Sequence, residues 1–467
     1  MTTKLFRQDI KVINVGLARF YEDLKYQRAK VTKVDWRPPA GGNLKLIQLL
    51  SKAESEEVAN ANKIAVKKIV TSSPKLIDIK RARDVIGVLR GNMTLLHSGP
   101  PIEWERMSGP TKGGVIGAAI FEGWASDARQ AEELAKSGQI RFETCHDNSA
   151  VGPMAGIISP SMSVYVVKNE ENGNIAFSNL NEGVGRVLRY GAYDEEVQTR
   201  LKFMEDVLSP LLKAALIITG PLDLKNIMAQ SLQMGDELHT RNVASSLLLL
   251  KELGPSMVNT DFSKSDISAS IDFIVKNQLF FLNIAMAAGK SIMDAANGIR
   301  ASSVITALTR NGTDFGVRVS ALKDKWFTAP APIPKTLFFP GYKEEDANPD
   351  IGDSAIMETN GFGAFASAAS PAVVQVVGGD VKEALRNTIK MSEICLIKDK
   401  SFPIPQNNFE GIPRAIDLRR IIETGTAPII NTGVANKKPG MGTVGFGILD
   451  APMGAFIRAF EEYASTL

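Results

Sequence analysis

The sequence predicts a multidomain α/β protein, with a Rossmann-like βαβ unit at the N-terminus, a central helical domain and a C-terminal α/β domain. Three observations carry that prediction. Residues 9–35 alternate strand, glycine turn, helix and strand. Residues 194 to about 309 hold apolar side chains at helical spacing. The last part of the chain mixes short strands, Gly-rich turns and two helices. At 467 residues the chain is too long for one ordinary core. The changes of pattern divide it at 1–190, 191–290 and 291–467.

The elements follow in order. Residues 10–15 form an apolar strand, Gly16 a turn, 17–26 a helix and 31–35 a second strand ending in Asp35. The loop RPPAGGN feeds a helix near Leu44, with Asn43 as its N-cap. Residues 53–70 read as a helix, 85–89 as a strand and 125–137 as a helix. Residues 164–168 and 175–178 flank an Asn/Gly turn and form a hairpin. Helices are expected at 194–217, 223–252, 264–288 and 290–309. A strand follows at 315–320, then a Pro-rich and acidic loop at 328–350. The final helices lie at 379–391 and 451–464.

Composition narrows the function. The 54 basic and 51 acidic residues leave a net charge of +3, which gives no electrostatic footprint for nucleic acid. Two cysteines are too few for a disulfide framework and fit a reducing, cytoplasmic setting. The most apolar stretch, LFFLNIAMAAG at 279–289, is too short to cross a membrane and reads as a buried helix. Two cysteines and three scattered histidines do not supply a zinc ligand set.

Several stretches could hold small anions. Gly41 and Gly42 precede a helix, so free backbone N–H groups can face an anion, and Arg37 adds a charge. Lys112 stands before another helical stretch. In CHDNSAVGPMAG, strand alternation points Cys145 and His146 to opposite faces. That favours His146 with Asn148 and the Gly-rich turn as one wall of an anion pocket. In GDELHTRN, read as helical, Asp236, His239 and Thr240 share a face, while Glu237 and Arg241 form an i,i+4 pair. In TRNGTDFG, Arg310 closes a helix, Asn311 and Gly312 cap it, and Asp314 leads into a strand. The candidate catalytic groups are His146, His239, Asp236 and Asp314. The candidate anion-binding groups are Arg241, Arg310, Asn311, Asn148, Arg37, Gly41, Gly42 and Lys112.

Taken together, VINVGL…VDWRPPAGG, LHSGPPIEWERMSGP, CHDNSAVGPMAGIISPSM, NEGVGRVLRYGAYD, GDELHTRN, TALTRNGTDFGVRVS and ETNGFGAFASAASPA resemble the YlbE-like (AllG) family over nearly the whole chain. The resemblance implies a multidomain α/β protein encoded beside FdrA-like proteins in purine- and allantoin-degradation clusters. It implies one subunit of an oligomeric oxamate carbamoyltransferase, which converts oxalurate and phosphate to oxamate and carbamoyl phosphate. The partners implied are a small anionic substrate, an FdrA-like protein and a third subunit. The N-terminal unit is similar to part of FdrA-like proteins, themselves related to acyl-CoA synthetases. This implies a nucleotide or CoA there, and a non-catalytic binding partner as the alternative role. The S-T-R-T and H-P-x-Q motifs of classical carbamoyltransferases are absent, so any such chemistry rests on an unrelated scaffold.

Overall fold

The computed structural model describes residues 11–34, 36, 38–91, 93–375 and 379–467. It is a mixed α/β protein whose strands form several small sheets. At the N-terminus the strands Lys11–Val15 and Lys30–Val34 pair in parallel, joined through the helix Ala18–Tyr26. Asp35 and Arg37 lie outside the described residues. A 3-10 turn, Pro39–Gly42, leads into the helix Leu44–Ala53, where the Asn43 side chain accepts the Leu46 N–H at 3.2 Å.

Most of the remaining pairing is antiparallel. One sheet runs Ile175–Asn179, Ser163–Asn169, Pro74–Arg81 and Leu222–Asp223, and contains the expected hairpin. Another runs Phe327–Pro330, Asp314–Val319, Ile305–Asn311 and Ile351–Gly352. A third joins Lys335–Phe338, Thr443–Asp450 and Ile429–Ala435. The strands Thr94–His97 and Arg141–Thr144 form a second parallel pair.

Five expectations are corrected. Residues 85–89 are not a strand but helical turns, Ala82–Val85 and Gly87–Leu89. Their spacing explains it, because Ala82, Ile86 and Leu89 fall on one helical face and are buried. The 328–350 segment is not all loop, since it adds two edge strands, where proline is tolerated. The helix expected over 223–252 is two helices, Leu224–Gln233 and Val243–Val258. Positive φ angles at Gly235 and Leu238 break it between them. The helices expected over 264–288 and 290–309 are instead Lys264–Lys276 and Leu282–Ala295, and Ile305–Asn311 is a strand. Asn311-Gly312 is therefore a hairpin turn between two strands rather than a helix cap.

The helix Leu282–Ala295 is buried along nearly its whole length, as the apolar stretch 279–289 predicts for its first half. It packs on the strands Ser163–Asn169 and Ile175–Asn179 and on the short helix Ile356–Thr359. The largest core cluster joins Phe280, Phe281 and Met286 to Tyr165, Phe362, Phe402 and Ile412. Every residue from 350 to 370 is buried. No helix among the described residues is long and apolar enough to cross a membrane.

Gly99 sits where the loop after Thr94–His97 meets the 311–314 hairpin. A Cβ there would lie 2.4 Å from the backbone N of Asn311. Gly138 has a similar positive φ but open space around it. Gly99→Ala should destabilise by about 3 kcal/mol and Gly138→Ala by about 1 kcal/mol in urea titrations. Equal losses would contradict the close approach at Gly99.

Candidate anion-binding cleft

The turn 235–242 links two helices and is organised by one carboxylate. Buried Glu237 accepts the backbone N–H groups of His239, Thr240 and Arg241 at 2.9, 2.5 and 2.8 Å. This replaces the expected Glu237–Arg241 ion pair on a helix surface. Arg241 lies instead 3.5 Å from Asp236. Asp236 accepts the Ser245 N–H and hydroxyl at 2.8 and 3.0 Å, which ties the turn to the first residues of Val243–Val258. Burial pushes the Glu237 carboxyl up to about 7 and raises that of Asp236.

His239 is aimed by a second buried carboxylate. Its Nδ1 lies 2.8 Å from both oxygens of Glu358. Glu358 also accepts the N–H groups of Ala364 and Asn431 at 3.0 and 3.1 Å. A carboxylate accepts and does not donate, so Nδ1 carries the hydrogen and Nε2 is left for another partner.

Three adjoining hollows meet at Thr240 and Phe446. The widest, about 550 Å³, is lined by Glu182, Arg200, Lys276 and Gln278. The next, about 160 Å³, adds Arg241, Val373 and Asn431. The narrowest, about 20 Å³, reaches His239, Arg189, Tyr190, Ser354 and Gly433. Around this cleft three buried polar atoms have no hydrogen-bond partner among the described residues: Arg189 Nη2, Thr240 Oγ1 and Asn431 Nδ2. Leaving such groups unpaired costs about 1–3 kcal/mol each, so their placement around adjoining hollows marks a place for a polar ligand.

The other described candidate residues lie against protein groups, although His146 Nε2 makes no hydrogen bond among the described residues. Arg310 is fully buried against Asp350 at 2.5 Å, and also reaches the Gly352 carbonyl and Thr432. His146 is buried with Nε2 3.6 Å from Asp353, and its ring meets Trp326 edge-on. Burial lowers the pKa of His146 well below the usual range and raises that of Asp353 to about 6. The strand before His146 stops at Thr144, and residues 146–148 form a 3-10 turn. Both Cys145 and His146 are buried as a result. Asn148 donates to the Thr144 carbonyl. Asn311 donates to the Pro100 carbonyl and accepts two N–H groups of its own hairpin. Asp314 pairs with Arg106 near the surface, and Lys112 lies within the helix Gly109–Phe121 rather than before it, over the Trp104 ring. Gly41 and Gly42 stay in their 3-10 turn, far from this cleft in sequence. Thus the structure brings His239 and Arg241 to one cleft, with Asp236 behind Arg241. Among the described residues no three His, Cys, Asp or Glu side chains are placed to hold a metal.

A family model described as oxamate carbamoyltransferase subunit AllG matches residues 140–354. The chain is 47% identical to the oxamate carbamoyltransferase subunit AllG of Escherichia coli K12, over 88% of this chain and 98% of that protein. The chain belongs to the AllG family. It is also 44% identical to the uncharacterized protein YahG of the same organism, over 98% of each. A crystal structure of a conserved protein of unknown function from Enterococcus faecalis V583 superposes with a TM-score of 0.85 at 44% identity, covering 88% of this chain and 98% of that one. The matched AllG region contains Arg189, His239, Thr240 and Arg241, while Glu358, Asn431 and Phe446 follow it.

Sequence reasoning missed Arg189, Glu358 and Asn431, and gave Thr240 a place beside His239 but no role. One signal was present. From 354 to 379 Glu358 is the only charged residue, and a lone acid in an apolar stretch points to a buried partner. The raised Glu237 carboxyl gives a pH test. The folded chain binds this proton more tightly than the unfolded chain, whose value is near 4.5. Its contribution to stability is therefore full below about pH 4.5 and lost as pH rises through about 7. Between pH 5 and 8, Glu237→Gln should lose less stability than the parent in denaturant titrations. Parallel losses would contradict this role of Glu237.

Proposed function

We propose that this chain is the subunit of a carbamoyl-transferring enzyme that handles the small anionic substrates, converting oxalurate and phosphate to oxamate and carbamoyl phosphate in purine or allantoin catabolism. It would work with an FdrA-like protein and a third subunit. The observation that carries the reading is the cleft itself, where His239, set by Glu358, stands among buried donors that lack protein partners. The name of the AllG relative supports a subunit role.

The chemistry suits these groups. A phosphate oxygen attacks the terminal ureido carbon of oxalurate, and a C–O bond forms. The oxyanion that develops is met by Thr240 Oγ1 and the Asn431 amide. The C–N bond to the oxamate nitrogen then breaks. His239 Nε2 takes the proton of hydrogen phosphate and returns it to the leaving nitrogen, so that oxamate departs as its neutral amide. Arg241, less buried and at the wider end, offers a cation to phosphate. No covalent enzyme intermediate is needed, because alignment of the two substrates supplies much of the rate.

Reconstitution tests the reading. The chain mixed with its FdrA-like partner and third subunit should form carbamoyl phosphate from oxalurate and phosphate. His239→Asn, whose amide can still donate to Glu358, should assemble and lower kcat by roughly 100-fold or more. No product from the complete mixture, or full activity in His239→Asn, would contradict it.

A further inference from the structure

Four arginines among the described residues are buried: Arg189, Arg310, Arg318 and Arg414. Three of them have a carboxylate. Arg310 pairs with Asp350, Arg318 with Asp147 and Arg414 with Asp399. A buried guanidinium without a counter-charge is costly, so the fourth requires a cause. The Arg189 Nε donates to the Gly183 carbonyl at 2.7 Å, and the guanidinium carbon lies 4.9 Å from the centre of the Tyr190 ring. Its Nη2 has no partner among the described residues. Glu182 is within electrostatic reach, but its carboxylate is engaged by the backbone, accepting the N–H groups of Leu188 and Arg189 at 2.7 and 3.2 Å.

Arg189 lines the narrow end of the cleft beside His239, Thr240 and Gly433. We propose that Arg189 binds the carboxylate of the substrate and selects 2-oxo-amide carboxylates of the oxamate type over neutral amides. This rests on the reading of the cleft as the anion site and names the group that each end accepts. The planar fork of a guanidinium matches the two oxygens of a carboxylate. The narrow end, at about 20 Å³, has room for about one water and so for a carboxylate edge, not for tetrahedral phosphate. Phosphate is left to the wider end at Arg241. Tyr190 supports the guanidinium from one side through its ring face, which holds the fork in place before the ligand arrives.

Calorimetric titration of the whole chain with oxamate, its neutral analogue oxamide, and inorganic phosphate tests this. Oxamate should bind, and oxamide should bind at least roughly 30-fold more weakly. Arg189→Met should weaken oxamate by a similar factor and leave phosphate affinity within about twofold, which also reports that the variant is folded. If Arg189→Met does not fold, Arg189→Lys decides, because a point charge without the fork should weaken oxamate and spare phosphate. No oxamate binding to the parent chain, equal binding of oxamide, or unchanged oxamate binding in the folded variant would each overturn the assignment. The reconstituted enzyme separates the two ideas. Undiminished turnover in Arg189→Met removes Arg189 alone, whereas no product from the parent complex removes the functional reading.

Discussion

The architecture depends on how three carboxylates are neutralised in one buried segment. Asp350, Asp353 and Glu358 lie within a run that is buried throughout from 350 to 370. Charged groups are not tolerated there without partners. Asp350 is met by Arg310. Glu358 is met by His239 and two backbone N–H groups. Asp353 is met by the N–H groups of Gly99 and Gly152, the Thr309 hydroxyl and, more distantly, His146. These contacts draw residues 97–101, 146–152, 239 and 305–311 onto the same segment. Groups far apart in the chain are thereby fixed against one buried spine. Removing one partner would leave a buried charge exposed to the full desolvation penalty, which makes the network stringent.

The same constraint explains why the cleft lies where it does. Glu358 places His239 and also holds the backbone of Asn431, so the histidine and the strand Ile429–Ala435 come together at one edge of the spine. Glu237 gathers three N–H groups and turns Thr240 and Arg241 toward that strand. Gly433 lets Tyr190 approach, because a side chain there would meet its hydroxyl at 2.3 Å. Arg189 arrives with Tyr190. Each protein carboxylate in this region is already committed, to a base or to backbone N–H groups. The donors that remain are therefore available to a ligand.

Much of the fold was legible in the sequence. The N-terminal strand–helix–strand unit, the Asn43 cap, the 163–179 hairpin, the burial of the apolar stretch 279–289 and the helices Val381–Glu393 and Met453–Ser465 follow from periodicity and turn residues. The failures share a cause. GDELHTRN has acceptable helical spacing, yet Glu237 hydrogen-bonds locally to three backbone N–H groups and competes with the helix. TRNGTDFG presents Asn-Gly, which caps helices and also turns hairpins, and only the partner strand decides. The cleft was partly legible. Scarcity drew attention to His239, and charge to Arg241. Arg189 and Asn431 could not be singled out, and the isolation of Glu358 does not name its partner, because their meaning arises from contacts across the chain, separated by 119 positions in the case of His239 and Glu358.

The most direct measurement is a crystal structure of this chain soaked with oxamate and phosphate. The account predicts oxamate at the narrow end, with its carboxylate on Arg189 and its amide within reach of Thr240, Asn431 and His239, and phosphate toward Arg241. A cleft that stays empty while the anions bind elsewhere, or an Arg189 engaged by a protein carboxylate, would contradict it.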